Sequence, residues 1–114
     1  MSDCLFCSIA AGDIEADVVY EDDKVIGFRD INPQAPVHIL VIPRQHLASL
    51  NELESAADDL PASLFTAVPE IAREAGVVEN GYRVVVNNGD DAGQEVEHLH
   101  VHILAGRGMG WPPG

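Results

Sequence analysis

Seven residues near the end of the chain constrain its fold more than any others: His98-Leu99-His100-Val101-His102-Ile103-Leu104. Polar and apolar residues alternate, and alternation is the period of a β-strand, whose successive side chains point to opposite faces of a sheet. Leu99, Val101 and Ile103 are therefore expected in a core, with all three imidazoles gathered on the other face. Three of the chain's five histidines lie in this run. Imidazole is a nucleophile, a proton carrier and a metal ligand near neutral pH, so the pattern describes a site better than it describes a solvated surface.

The remaining chain supplies the frame for such a strand. Its 114 residues fit one domain, residues 1–114, with a single core. A short helix is expected from Leu5 to Ala11, capped by Asp3 and ended by Gly12. Asp17–Tyr20 and Val25–Arg29 read as strands across a turn, and Val37–Ile42 as a buried strand stopped by Pro43. A helix is expected from about Pro61 to Ala75, closed by Gly76, with Leu64, Phe65, Val68, Ile71 and Ala72 at helical spacing. Pro69 within it predicts a kink or a later start. Tyr82–Asn87 is another strand, residues 88–95 a polar glycine-containing loop, and Gly106 onward an irregular tail. Strands without regularly interleaved helices point to an α+β fold around a largely antiparallel sheet.

Charge narrows the functions available. Nineteen acidic residues against six Lys plus Arg give a net charge of −13, and Lys24 is the one lysine. A nucleic-acid backbone needs clustered cations, so no nucleic-acid partner is expected, although one nucleotide in a local pocket is compatible with this charge. No apolar run reaches the ~20 residues that span a bilayer, and no basic segment leads an apolar one at the start. The expectation is a cytoplasmic protein that does not engage membranes.

Several groups carry candidate chemistry. A histidine with its lone pair toward a substrate can attack phosphorus and form a covalent intermediate, while neighbouring imidazoles bind phosphate or manage protons. Amides of the loop from Asn87 to Gln94 can donate to phosphate oxygens. Phe6, Ile9 and Phe28 can cover a planar base, or equally pack a core. Asp30 can accept from a ribose diol, or serve as a turn carboxylate. Cys4 and Cys7 form Cys-x-x-Cys, which fits a zinc site, a redox dithiol or two buried thiols. Zinc needs two more ligands, and His46 and His98 are available.

Taken together, the histidine run, Asp3–Ile9, Asp30-Ile31-Asn32-Pro33-Gln34-Ala35-Pro36, His38, Val41-Ile42-Pro43-Arg44-Gln45-His46, Tyr82–Asn87 and the ending Gly108-Met109-Gly110-Trp111-Pro112-Pro113-Gly114 resemble the histidine triad (HIT) family. The resemblance covers essentially the whole chain, and the tail through Trp111 favours the Hint branch, the purine nucleoside phosphoramidate hydrolases. It implies a five-stranded antiparallel sheet with two helices, in a homodimer whose sheets join into one of ten strands, with Trp111 near the partner's site.

The resemblance also implies roles. His100 matches the nucleophile, His102 the histidine that contacts phosphate and assists leaving-group protonation, and His38 a supporting histidine. Asp30 and Ile31 match the ribose contacts. Phe6, Ile9, Ile14 and Phe28 match the base pocket. Asn87, Gly93 and Gln94 match the phosphate-side loop. Relatives with Cys-x-x-Cys here bind structural zinc, which implies one ion per chain on Cys4, Cys7, His46 and His98. The substrate implied is a purine nucleoside 5′-phosphoramidate. A dinucleoside polyphosphate hydrolase and a nucleotide-binding adaptor with little turnover are the alternatives. Glu95 stands where Hint enzymes often have serine, and a carboxylate there repels an anion unless it meets a proton, a cation or an amine. Glu97 and Gly110 also depart from the pattern.

Overall fold

The computed structural model describes residues 4–114. Asp3, the expected cap of the first helix, lies outside the described residues. The elements run α1 (Leu5–Ala10), β1 (Val18–Glu21), β2 (Val25–Arg29), β3 (Val37–Pro43), a 3-10 helix (Leu50–Ser55), α2 (Leu60–Glu74), β4 (Tyr82–Val85) and β5 (Val101–Ala105). The five strands form one antiparallel sheet in the order β1-β2-β3-β5-β4, as the resemblance implies.

β3 sits at the centre, and its near-continuous apolar sequence follows from burial on both faces. Ile39 and Val41 join Val25, Val101, Ile103 and Leu99 in a core built with Leu64, Ala67, Val68 and Ile71 of α2. The alternate residues Leu40 and Ile42 join Ile26, Phe28, Phe6 and Ile9 in a second core beneath α1. The sheet therefore lies between two helices of unequal size. α2 approaches it closely at Gly27, where an added Cβ would stand 3.0 Å from Cδ1 of Ile71.

α2 runs as one element through Pro69 instead of starting there. Pro69 is exposed, so the turn that lacks its N–H faces water, which can satisfy the carbonyl left over. Phe65, expected on the buried face, is 45 % exposed, and Ala67 takes part in the core instead. The strand expected over Tyr82–Asn87 stops at Val85. The histidine strand starts later than expected: pairing begins at Val101, and His98, Leu99 and His100 precede it as irregular backbone. That segment is tied down by a backbone bond, Leu99 N–H to the Leu47 carbonyl at 2.7 Å. Among the described residues no helix is long and apolar enough to cross a membrane.

Candidate functional site

The alternation survives the late start of β5. Leu99, Val101 and Ile103 face the α2 core, and the three histidines turn to the α1 side. Two of them do not emerge into solvent there, and His102 is half-buried. His98 is fully buried and His100 nearly so, because Phe6 covers them, its ring centroid 6.0 Å from that of His98 and 5.2 Å from that of His100. The three rings serve two separate clusters, with His100 between them.

The first cluster gathers Cys4, Cys7, His46 and His98. The bond from Leu99 to Leu47 places the 46–48 segment beside the 98–100 segment, and α1 brings the cysteines in from above. Cys4 caps α1: its sulfur accepts from Cys7 N–H at 3.3 Å. His98 Nδ1 lies 3.3 Å from Cys4 Sγ, 3.4 Å from Cys7 Sγ and 3.1 Å from His46 Nδ1, and Cys7 Sγ lies 3.3 Å from His46 Nδ1. The four donor atoms all fall within 4.8 Å of one another. Metal bonds of about 2.3 Å to sulfur and about 2.0–2.1 Å to nitrogen give tetrahedral edges of roughly 3.3–3.8 Å, so the set fits a four-coordinate ion. The proton count agrees. His98 donates through Nε2 to the Pro43 carbonyl at 2.8 Å, which leaves Nδ1 as a lone pair aimed into the cluster.

The second cluster is a chain of hydrogen bonds through His38 and His102. The Gln34 backbone N–H donates to His38 Nδ1 at 3.0 Å. His38 must then carry its proton on Nε2, which lies 2.8 Å from His102 Nδ1 and 3.5 Å from a carboxylate oxygen of Asp30. His102 in turn keeps its proton on Nε2. That atom is buried and has no hydrogen-bond partner among the described residues. Burial pushes the His38 imidazole below the usual histidine range, with Asp30 opposing. Burial and the nearby His100 and His38 rings hold His102 lower still, at about 4. Asp30, His38 and His102 also offer three metal-type donors. With the amide on His38 Nδ1, however, the short contact between the imidazoles is a hydrogen bond and not a pair of ligands.

His100 joins the two clusters. Its Nδ1–H donates to the His98 carbonyl at 2.7 Å, so Nε2 carries the lone pair. Its ring lies 5.0 Å from that of His102, centroid to centroid. A ring with a nucleophilic nitrogen and a ring with an unpartnered N–H donor thus stand side by side, the first fixed in its tautomer by the His98 carbonyl and the second through His38 by the Gln34 amide.

The other candidate residues are distributed around this centre. Phe6, Ile9 and Phe28 are buried in the α1-side core, with the Phe6 and Phe28 rings edge-on at 5.5 Å. Ile14 and Ile31 are exposed, Ile31 completely. Ile9 and Ile14 line a shallow cavity of about 390 Å³ that also holds Val18, Ile26 and Arg44. Asp30 makes a turn bond from Oδ1 to Asn32 N–H at 2.9 Å, so the turn role and the place beside His38 coexist. The Gln94 side chain is committed to the protein: it donates to the carbonyls of Ala48 and Val96 and accepts from Gly89 N–H. Gly93 N–H is likewise used within the loop, on the Asp90 carbonyl. Asn87 is half-buried, and Glu95 is exposed at the end of this clamped loop.

Comparison with known proteins identifies the family. The HIT domain family matches residues 11–109, and the chain belongs to that family. It is 50% identical over 112 residues to an uncharacterised HIT-like protein of Synechococcus elongatus, covering 98% of this chain and 97% of that one. It is 46% identical over 115 residues to a 14 kDa zinc-binding protein of Zea mays, covering 99% and 89%. The crystal structure of a HIT family hydrolase from Legionella pneumophila superposes with a TM-score of 0.91 at 48% identity, covering 98% of this chain and all of that one.

Sequence reasoning missed the backbone groups that set the chemistry: the Gln34 amide and the Pro43 and His98 carbonyls. No side-chain pattern announces them. The one available signal was the loop from Asp30 to Pro36, whose two prolines fix its path.

Proposed function

We propose that this protein is a nucleotide hydrolase of the Hint type, which cleaves purine nucleoside 5′-phosphoramidates through a nucleotidyl-histidine intermediate. One observation carries the reading: the ring of His100, with its lone pair on Nε2, lies 5.0 Å from the ring of His102, whose Nε2 donor has no partner among the described residues. His100 Nε2 attacks the α-phosphorus. A P–Nε2 bond forms as the P–N bond to the amine breaks. His102 Nε2–H hydrogen-bonds the phosphoryl group and so assists departure of the leaving nitrogen, which takes its proton from solvent. Water then adds to phosphorus, the P–Nε2 bond breaks, and the nucleoside monophosphate leaves with His100 restored. Positioning and charge stabilisation supply most of the rate.

The surrounding residues support this assignment. In it, Asp30 and the exposed Ile31 receive the ribose, Phe6, Ile9, Ile14 and Phe28 bound the base, and Asn87, Gly93, Gln94 and Glu95 border the phosphate. Because Gln94 is tied to Ala48, its part is to hold the loop's shape. Cys4, Cys7, His46 and His98 hold one zinc ion, whose chemistry is structural because four protein ligands leave no position for substrate. The Zea mays relative named as zinc-binding supports this. A homodimer is supported by β4, an edge strand whose Tyr82 and Val84 are exposed, and by the exposed Trp111.

The test is a comparison of turnover on adenosine and guanosine 5′-phosphoramidates and on a dinucleoside polyphosphate, with mass analysis of rapidly quenched protein. Phosphoramidate turnover and a nucleotide adduct on His100 are expected. Faster cleavage of the polyphosphate would favour the alternative hydrolase, and nucleotide binding without an adduct would favour an adaptor.

A further inference from the structure

The carbonyl and the amide of Gln34 face two different parts of the molecule. The amide sets the proton on His38, and through it the proton on His102. The carbonyl accepts from Arg107 Nε–H at 3.1 Å. Arg107 belongs to the segment after β5, and its own fork is steadied by NH1 on the Gly108 carbonyl at 3.1 Å. Just before it, Gly106 adopts φ +94, and an added Cβ there would stand 2.8 Å from Cβ of Pro36. The turn after β5 therefore grips the loop carrying Gln34 at two points, Pro36 and the Gln34 carbonyl. The rest of the loop is held by Asn32 N–H on Asp30, the Gln34 side-chain amide on the Asn32 carbonyl, and Asp30 N–H on the His38 carbonyl.

We infer that Arg107 is a positioning residue for the histidine relay: by fixing the carbonyl of Gln34, it restrains the backbone torsions of the residue whose N–H, in the preceding peptide, keeps the protons of His38 and His102 on Nε2. The logic is that of a two-state chain. If the Gln34 amide swings away, His38 can hold its proton on Nδ1. Its Nε2 is then a lone pair facing His102 Nδ1, and the contact survives only if His102 moves its own proton to Nδ1. His102 Nε2 would then lose the N–H that faces the phosphoryl group. Asp30, 3.5 Å from His38 Nε2, favours the native arrangement, so losing Arg107 shifts the balance without inverting it. The catalytic consequence rests on the proposed function, whereas the proton positions do not.

The experiment reads both. Ring-nitrogen NMR at pH 7 on ¹⁵N-histidine-labelled protein reports which nitrogen of each imidazole carries hydrogen, with no substrate present. In the wild type, His38 and His102 are expected with protonated Nε2 and unprotonated Nδ1. Arg107→Ala should move both toward a mixture, and lower kcat about tenfold with KM little changed, as loss of one charge-assisted hydrogen bond allows. Arg107→Lys, which can still donate to the carbonyl, should restore most of both. Thermal melts of the variants identify any general loss of structure, in which the rings would broaden without a Lys rescue and the inference would fail. Ring signals in Arg107→Ala identical to wild type would also overturn it, whatever happens to the rate. If the wild type turns over no phosphoramidate, the proposed function fails, and the ring signals alone decide for or against Arg107.

Discussion

His38 and His102 meet nitrogen to nitrogen, 2.8 Å apart, across the central pair of strands. The register explains the contact: His102 pairs with Leu40 and His38 with Leu104, so the two histidines are diagonal neighbours on one face. Neither ring can take a further proton without breaking a bond. On His38 the remaining nitrogen faces an amide donor, and on His102 it faces the His38 N–H. The pair is thus built to stay neutral.

Stability should therefore depend on pH with a definite sign. In the unfolded chain His102 takes a proton near its usual 6.5, but in the fold only near 4. His38 is shifted the same way. The unfolded state binds more protons within that window, so stability is full above about pH 6.5 and falls as pH drops toward 4. Urea denaturation between pH 4 and 7 should show this loss. His102→Gln should have a flatter profile than the wild type across that range. Parallel profiles would remove His102 as its source.

Replacing the central histidine separates binding from chemistry. His100→Ala should lose turnover by a large factor, on the order of 10⁶ if the whole nucleophilic contribution is lost, while nucleotide still binds. Rapid-quench mass analysis should find no nucleotide adduct. Single-turnover hydrolysis near the wild-type rate would remove His100 as the nucleophile.

The sequence made the sheet legible because alternation is a physical signature of burial. Leu99, Val101 and Ile103 lie in the core as the period requires, and β3 is buried on both faces as its apolar run requires. Element ends were less legible. β5 starts at Val101, although the alternation starts at His98, because an irregular backbone with the right torsions can alternate without a pairing partner. The four-residue metal-type cluster assembled as expected, since Cys-x-x-Cys and distant histidines have few other reasons to meet. What stayed hidden was the protonation pattern. It depends on where peptide groups point, and residue type does not encode that. Phe6 is an instructive case: it packs the core, as one of its two readings had it, and it also covers His100, which neither reading foresaw.

Asp30 offers a test of the sugar end. A charged acceptor makes each hydrogen bond worth roughly 1.5–3 kcal/mol. Asp30→Ala should weaken adenosine monophosphate much more than its 2′,3′-dideoxy analogue in calorimetry. The difference between the ligands isolates the ribose contact from the effect of losing Asp30 beside His38. Equal losses for both would leave Asp30 with its turn and relay roles alone.

The edge strand predicts the assembly. β4 is held by β5 on one side, and Val84 on it is 38 % exposed. An exposed strand edge with apolar side chains is a ready surface for a second copy. Sedimentation at micromolar concentration should give a dimer, and Val84→Lys should shift it toward monomer. A monomeric wild type would refute the dimer.

The metal prediction follows from what His98 touches. Its Nδ1 faces Cys4, Cys7 and His46, its Nε2–H holds the Pro43 carbonyl, and its own carbonyl holds Nδ1–H of His100. One bound ion would fix α1, the segment after β3 and the approach to β5 at a single point. Protein purified without added zinc should contain about one zinc per chain, and Cys4→Ser with Cys7→Ser should reduce that to near zero. Chelation should lower the melting temperature by roughly 10 °C or more if about 3 kcal/mol of stability is lost. It should lower kcat less while the fold persists, because the ion takes no part in the phosphoryl step. The strand after the cluster gives the finer readout: with zinc removed, the Nδ1–H of His100 should lose part of its protection against exchange, since the carbonyl it bonds is no longer anchored. A wild type that is metal-free as purified, and equally stable with and without chelator, would reduce Cys4 and Cys7 to packed thiols.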